Sequence, residues 1–289
     1  GDEVSYLITY ANNADQGFRD TVVRVELRGE MFDFGTVRSN GIIAPGGGSV
    51  VWNPATNQEL TVVQPRSSGT LSLIVKVKNT YPIRRLSDKN FVLKAEARIE
   101  SGTVPSSLQG KSTVGIARLE SKVRGSIEID TRVLFRDAES GIVNRGAIPP
   151  RVGQATNYTV HWVIKNYSTD VTGVTVSGNL APGVRATGVS KTNAPGSFSY
   201  NESTGAVGWA FEKINATKGV IDKPYEITFQ IEATPGANMA KNFMPLISET
   251  ALTAKDDFTG LDLRDTDDAV TTAVPDDPTV GAQGGIVLQ

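Results

Sequence analysis

The chain carries one strand-forming pattern twice. Residues 3–12, EVSYLITYAN, and residues 155–166, ATNYTVHWVIKN, both alternate apolar and polar side chains, and both stop at an asparagine. With Asn12 set on Asn166, an offset of about 154 positions, Tyr6 falls on Val160, Ile8 on Trp162 and Tyr10 on Ile164. Side chains alternate across a strand, so these positions share one face. The spacing holds downstream. TVVRVEL (21–27) lies opposite VTVSGNL (174–180), with Leu27 on Leu180, and Trp52 in SVVWNP lies near Trp209 in GAVGWAF. GTLSLIVKVK (69–78) faces KPYEITFQIE (223–232), and NFVLKAEARIES (90–101) corresponds loosely to NFMPLISETALTAK (242–255). Five blocks in one order at a nearly constant offset are the mark of a duplication.

Each copy is a run of short alternating strands punctuated by turn signals such as NPATNQ, PRSSG, NLAPG and TNAPGS. Helical periodicity is missing almost everywhere. Even LESKVRGSIEIDTRVLFRD reads as strand, because Gly125 and a β-branched period-2 run follow its start. The expected fold class is all-β: two tandem immunoglobulin-like antiparallel β-sandwiches. Trp52, Trp162, Trp209, Ile8 and Tyr10 are the expected core, wedged between sheets in place of a disulfide. The expected domains are 1–112, a first sandwich with its linker, and 113–289, a larger second one with a C-terminal tail. SGTVPSSLQGKS (101–112) reads as an exposed linker. TVGIARLESKV then closes the first sandwich, GSIEIDTRVLFRD opens the second, and the terminal VPDDPTVGAQGGIVLQ reads as an ordered edge followed by the start of a further unit.

Composition narrows the chemistry. The 29 basic and 31 acidic residues leave a formal charge of −2, without the cationic excess that phosphate binding needs, so no nucleic-acid partner is expected. Cysteine is absent, which removes disulfides, thiolate metal sites and thiol nucleophiles. No apolar run reaches the roughly 20 residues of a membrane span, and no secretory leader opens the chain. The start GDEVSYL is already in strand register and reads as cut from something longer.

Residues 147–180, AIPPRVGQATNYTVHWVIKNYSTDVTGVTVSGNL, followed by APGV, YNESTGAVGW, DDFTG and AVPDDPTVG, resemble a tandem Ig-like module of large surface proteins of candidate phyla radiation bacteria (Patescibacteria, including Parcubacteria). GDEVSYLITYANNADQGFRDTVVRVELRGEMFDF and YPIRRLSDKNFVLKAEARIES are similar to its companion module. Both fit the conserved-repeat domains of bacterial and archaeal surface proteins, with their GDxVxYxIxYxN opening and later VxW. The resemblance implies the sandwich fold and an extracellular, cell-surface setting. It implies no catalytic residue and no ligand. The opening-strand Trp162 answers to Ile8 in the first copy, so the two cores pack differently.

Several residue sets invite a functional reading beside a plainer one. His161, the single histidine, should face outward from its strand and be an ordinary surface residue. Asp256, Asp257, Asp262 and Asp265 head an acidic run, continued by Asp267, Asp268, Asp276 and Asp277, that offers the hard oxygen ligands calcium prefers. Its spacing fits no EF-hand, and turn-capping aspartates on a solvated edge are the plainer account. Apart from calcium no cofactor is expected. Sequons occur at Asn157, Asn166, Asn201 and Asn215. Lys122 and Lys165 are available for an isopeptide cross-link. APGGGS (44–49) reads as a hairpin turn. Tyr158, Tyr167, Phe198, Tyr200 and Trp209 would be a sugar platform if exposed, yet alternation puts most of them inside.

The expected role is non-enzymatic: a structural or adhesive segment of a large surface protein, acting as a stiff spacer or assembly module. Its partners would be neighbouring Ig-like domains of the parent chain, further copies of itself, or a surface ligand, with GGIVLQ (284–289) a conceivable donor strand. The alternative is a pair of carbohydrate-binding accessory modules of a secreted hydrolase.

Overall fold

The computed structural model describes residues 1–103 and 113–289. Among them there is no α-helix; the regular structure is β-strand, with 3₁₀ turns at Gln58–Leu60 and Ala237–Met239. The chain divides into two compact units, Gly1–Pro82 with Asn90–Val123, and Ile83–Lys89 with Arg124–Gln289.

In the first unit the strands are β1 (Glu3–Ala11), β2 (Phe18–Arg28), β3 (Phe32–Ser39), β4 (Ile42–Ile43), β5 (Ser49–Trp52), β6 (Val62–Val63), β7 (Ser68–Val77), β8 (Val92–Thr103) and β9 (Gly115–Lys122). They form two antiparallel sheets, β1-β7-β3 and β4-β5-β2-β8-β9, with β6 added on β2. The second unit contains β10 (Ile127–Leu134), β11 (Thr156–Asn166), β12 (Val171–Asn179), β13 (Val184–Thr192), β14 (Ser197–Tyr200), β15 (Ala206–Ile214) and β16 (Tyr225–Ala233). It continues with β17 (Pro245–Ile247), β18 (Thr250–Asp256), β19 (Asp262–Asp267) and β20 (Val270–Thr271). Its sheets are β10-β11-β16-β13 and β14-β15-β12-β18-β19, with β17 and β20 paired apart.

The two units share topology and register. Tyr6 pairs with Leu73 as Val160 pairs with Phe229, and Trp52 lies opposite Val23 as Trp209 lies opposite Val176. Val23 then faces Ile99, as Val176 faces Leu252. The irregularity is repeated as well: β3 slips against β7 between Asp33 and Arg38, and β13 slips against β16 between Ala186 and Ser190. One edge strand distinguishes them. β11 has β10 on its outer side, whereas among the described residues β1 has β7 alone.

Apolar side chains from both sheets meet in each core. Trp52, Trp162 and Trp209 are fully buried, and Tyr10 is buried too. The Trp162 ring meets Phe229 edge-on at 5.0 Å, and the Trp52 indole N–H donates to Asn40 Oδ1 at 2.8 Å. Ile8 departs from expectation. It is half-buried, because no strand among the described residues covers the flank of β1 as β10 covers that of β11.

Three boundaries also differ from expectation. β9 pairs along β8 from Ile99–Gly115 to Val92–Lys122, so the first unit runs to Val123 and not to 112. Of the expected linker, 104–112 lies outside the described residues, while 101–103 extend β8. The C-terminal tail folds onto the second unit. Val287 is fully buried, its carbonyl accepts from Lys241 N–H at 2.8 Å, and Leu288 N–H donates to Pro150 O at 2.8 Å. GGIVLQ is thus already engaged.

Candidate functional site

The asparagine that ends each copy's opening strand has a definite task. Asn12 Nδ2 donates to the carbonyls of Gln16, Val63 and Gln64 at 2.8–3.0 Å. Asn166 Nδ2 donates to those of Thr169, Ile214 and Asn215 at 2.7, 3.3 and 3.0 Å. One buried amide pins the strand end to two loops in each unit, satisfying carbonyls that have left their ladders. The sequon at Asn166 is therefore consumed internally, while Asn201 and Asn215 are exposed and Asn157 is half-buried.

The acidic run is occupied in a similar way. Asp256 is fully buried: its Oδ2 accepts from Gly125 N–H at 2.9 Å, and its Oδ1 accepts from Phe258 N–H at 2.8 Å and Thr259 N–H at 3.2 Å. Asp265 accepts from Ile129 N–H at 2.8 Å and Asp267 from Thr131 N–H at 2.5 Å. Asp277 accepts from both Phe135 and Arg136 N–H at 2.8 Å. These are the edge donors of β10 and of the turns at its two ends. A sheet edge leaves N–H groups unpaired, and here carboxylates two residues apart on β19 fill the ladder positions that a strand would take. Asp257 accepts from the Thr172 hydroxyl, and Asp262 lies in register with Lys255. Asp256, Asp257 and Asp265 are thus held on separate partners, and Asp262 is exposed. Among the described residues, no three His, Asp or Glu side chains are grouped to hold a metal ion.

Burial alone would raise the Asp256 carboxyl. The Gly125, Thr259 and Phe258 N–H groups and the Thr259 hydroxyl outweigh it and hold the group below its usual range. Asp277 is lowered on the same balance, burial against Arg136, Thr279 and Phe135 donors.

His161 is not the surface residue expected. It does point to the outer face of its sheet, yet it is only 3% exposed. A strap, residues 135–155 between β10 and β11, crosses that face. Asn144 Nδ2 bonds Leu134 O, Phe135 O and Thr159 Oγ1, and Gln230 Nε2 bonds Val143 O and Asn144 Oδ1. Beneath the strap, His161 Nε2 is 2.9 Å from Asp137 Oδ2 and Nδ1 is 2.6 Å from Glu226 Oε1. The Ser140 hydroxyl donates to Asp137, and Lys191 Nζ donates to Ser140 O. Burial raises the Asp137 carboxyl, while the Ser140 donors and the His161 ring more than offset that and keep it lowered.

Serine, histidine and aspartate come together here in an order that does not make a nucleophile. Ser140 faces Asp137, and both ring nitrogens of His161 face carboxylates, leaving neither ring nitrogen directed at the hydroxyl. The cluster clasps the strap to the sheet. No sequence signal marked Asp137, Glu226, Asn144 or Gln230. The spacing of Asp265 and Asp267 places both on one strand face, and so was open to reading as a pair.

Lys165 pairs with Glu128 at 2.7 Å on the surface, and Lys122 is exposed, so neither is a buried amine of the kind a cross-link uses. Tyr158 and Trp209 are core residues, with Phe198, Tyr167 and Tyr200 half-buried. No helix among the described residues is long and apolar enough to cross a membrane.

No family model matches the chain, and no curated protein matches it in sequence. Solved structures do. The C-terminal domain of the Streptococcus pyogenes antigen I/II-family protein AspA is 14% identical with a TM-score of 0.30, covering 92% of each chain. The Streptococcus agalactiae AgI/II polypeptide BspA C-terminal domain is 10% identical at 0.32, covering 92% of this chain and 91% of its own. The Bacillus cereus major pilin subunit BcpA is 8% identical at 0.32, covering 93% and 69%. At such scores the functional argument rests on the chain's own geometry.

Proposed function

We propose that this chain is a non-enzymatic structural segment of a bacterial cell-surface protein, working as a stiff spacer or assembly module. The observation that carries the proposal is how its polar chemistry is used. The buried or aligned acids, the histidine and the two strand-end asparagines bond to backbone groups and to one another. Groups committed in this way hold strands and loops in place. The surface setting rests on the sequence blocks that resemble surface-protein modules. A carbohydrate-binding role needs coplanar exposed rings, and two of the five candidate aromatics are buried.

Stretching the chain from its termini by single-molecule force tests the spacer role. Discrete unfolding events are expected, with the second unit's event at lower force in the Asp265→Ala/Asp267→Ala variant. Smooth extension at low force would refute it. Labelling of intact source cells with antibodies against this chain tests the surface setting, and labelling only after lysis would refute that part.

A further inference from the structure

The duplication supplies an internal control for an interaction surface. In the second unit, β10 lays Ile127, Ile129, Thr131 and Val133 into the core, antiparallel to β11, with Val133 opposite Val160, Thr131 opposite Trp162 and Ile129 opposite Ile164. The same register carried onto the first unit puts such a strand opposite Tyr6, Ile8 and Tyr10. That place is open. β1 is an edge strand, and a groove of about 220 Å³ runs beside it, lined by Ile8, Ala97, Ile99, Gly115, Ile116 and Ala117.

The residues flanking the vacancy differ from their counterparts in the way an absent strand would cause. Trp162 and Leu252 are fully buried, whereas their equivalents Ile8 and Ile99 are half-buried. The register of β8 with β9 against that of β18 with β19 places Gly115 where the second unit has Asp265, and Ala117 where it has Asp267. The carboxylates that cap a resident β10 are thus replaced by small side chains, which leave the first groove apolar and accessible.

We propose that this edge and groove take up a β-strand from another polypeptide, one with apolar, mainly β-branched side chains at alternate positions that runs antiparallel to β1 as β10 runs to β11. Main-chain hydrogen bonds to the free edge would supply affinity, and the alternating side chains entering the groove would supply register. The inference rests on the groove and is independent of the surface role.

The probe is a fluorescent peptide copying residues 126–135, SIEIDTRVLF, titrated into the full chain by anisotropy. Saturable binding is expected, weakened at least tenfold by Ile8→Asp and unchanged by Leu7→Asp, whose site is 71% exposed on the opposite face. Circular dichroism melts establish that both variants fold. The chain lacks cysteine, so a second test is clean: Ile8→Cys should form a disulfide with a peptide bearing cysteine in place of Thr131 and not with one bearing it in place of Asp130. Absence of saturable binding, or binding indifferent to Ile8→Asp, which would signal exchange with the resident β10, overturns the proposal. So does a doubled mass by light scattering that Ile8→Asp abolishes, since the edge would then serve a second copy of this chain.

Discussion

A primary amide buried at a strand end is worth what its acceptors would lose without it. Asn166 serves three carbonyls, and Asn166→Ala leaves them without that donor at about 1–3 kcal/mol for each buried group orphaned. Thermal denaturation should show the second unit's midpoint falling by several degrees, at roughly 2–4 °C per kcal/mol. His161 is a different case, because it separates two carboxylates. His161→Leu should cost about 1–3 kcal/mol for each buried polar group left without its ring partner. Adding Asp137→Asn and Glu226→Gln should recover part of that in denaturant titrations, and no recovery would show that the ring acts by packing alone. The lowered Asp137, Asp256 and Asp277 carboxyls give the pH dependence its sign. Groups whose folded values lie below the ordinary aspartate value of about 3.9 contribute stability at neutral pH and lose it as pH falls through the interval below that value. The wild-type midpoint should therefore drop steeply below about pH 4, and Asp256→Asn should start lower and fall less.

Strands and their order follow from period-2 alternation, which the sequence displays openly, while what lies across a strand's outer face does not. The positions of β1, β11, β7 and β16, and the burial of Trp52, Trp162 and Trp209, were legible because each is a local pattern repeated at one offset. His161 was misplaced because alternation gives the face and is silent on its cover, here a strap anchored by Asn144 and Gln230. The aspartates were legible as turn and edge residues. Their targets were not, since Asp265 meets Ile129 and Asp267 meets Thr131 across 136 residues. Removing both carboxylates in Asp265→Ala/Asp267→Ala orphans two edge donors of β10. The variant should lose about 2–4 kcal/mol, from the cost of unsatisfied donors, and should admit exchange of the Ile129 and Thr131 amides.

At the scale of the molecule, the two units share strand pairings, and among the described residues one strand position that is filled by β10 beside β11 is open beside β1. That difference accounts for the half-burial of Ile8 and Ile99 against the full burial of Trp162 and Leu252. Residue-resolved amide hydrogen exchange on the intact chain tests it most directly, since protection reports hydrogen bonding strand by strand. Continuous protection along β11 is expected, with protected and fast amides alternating along β1. Equal, unbroken protection of β1 and β11 would contradict the vacant position.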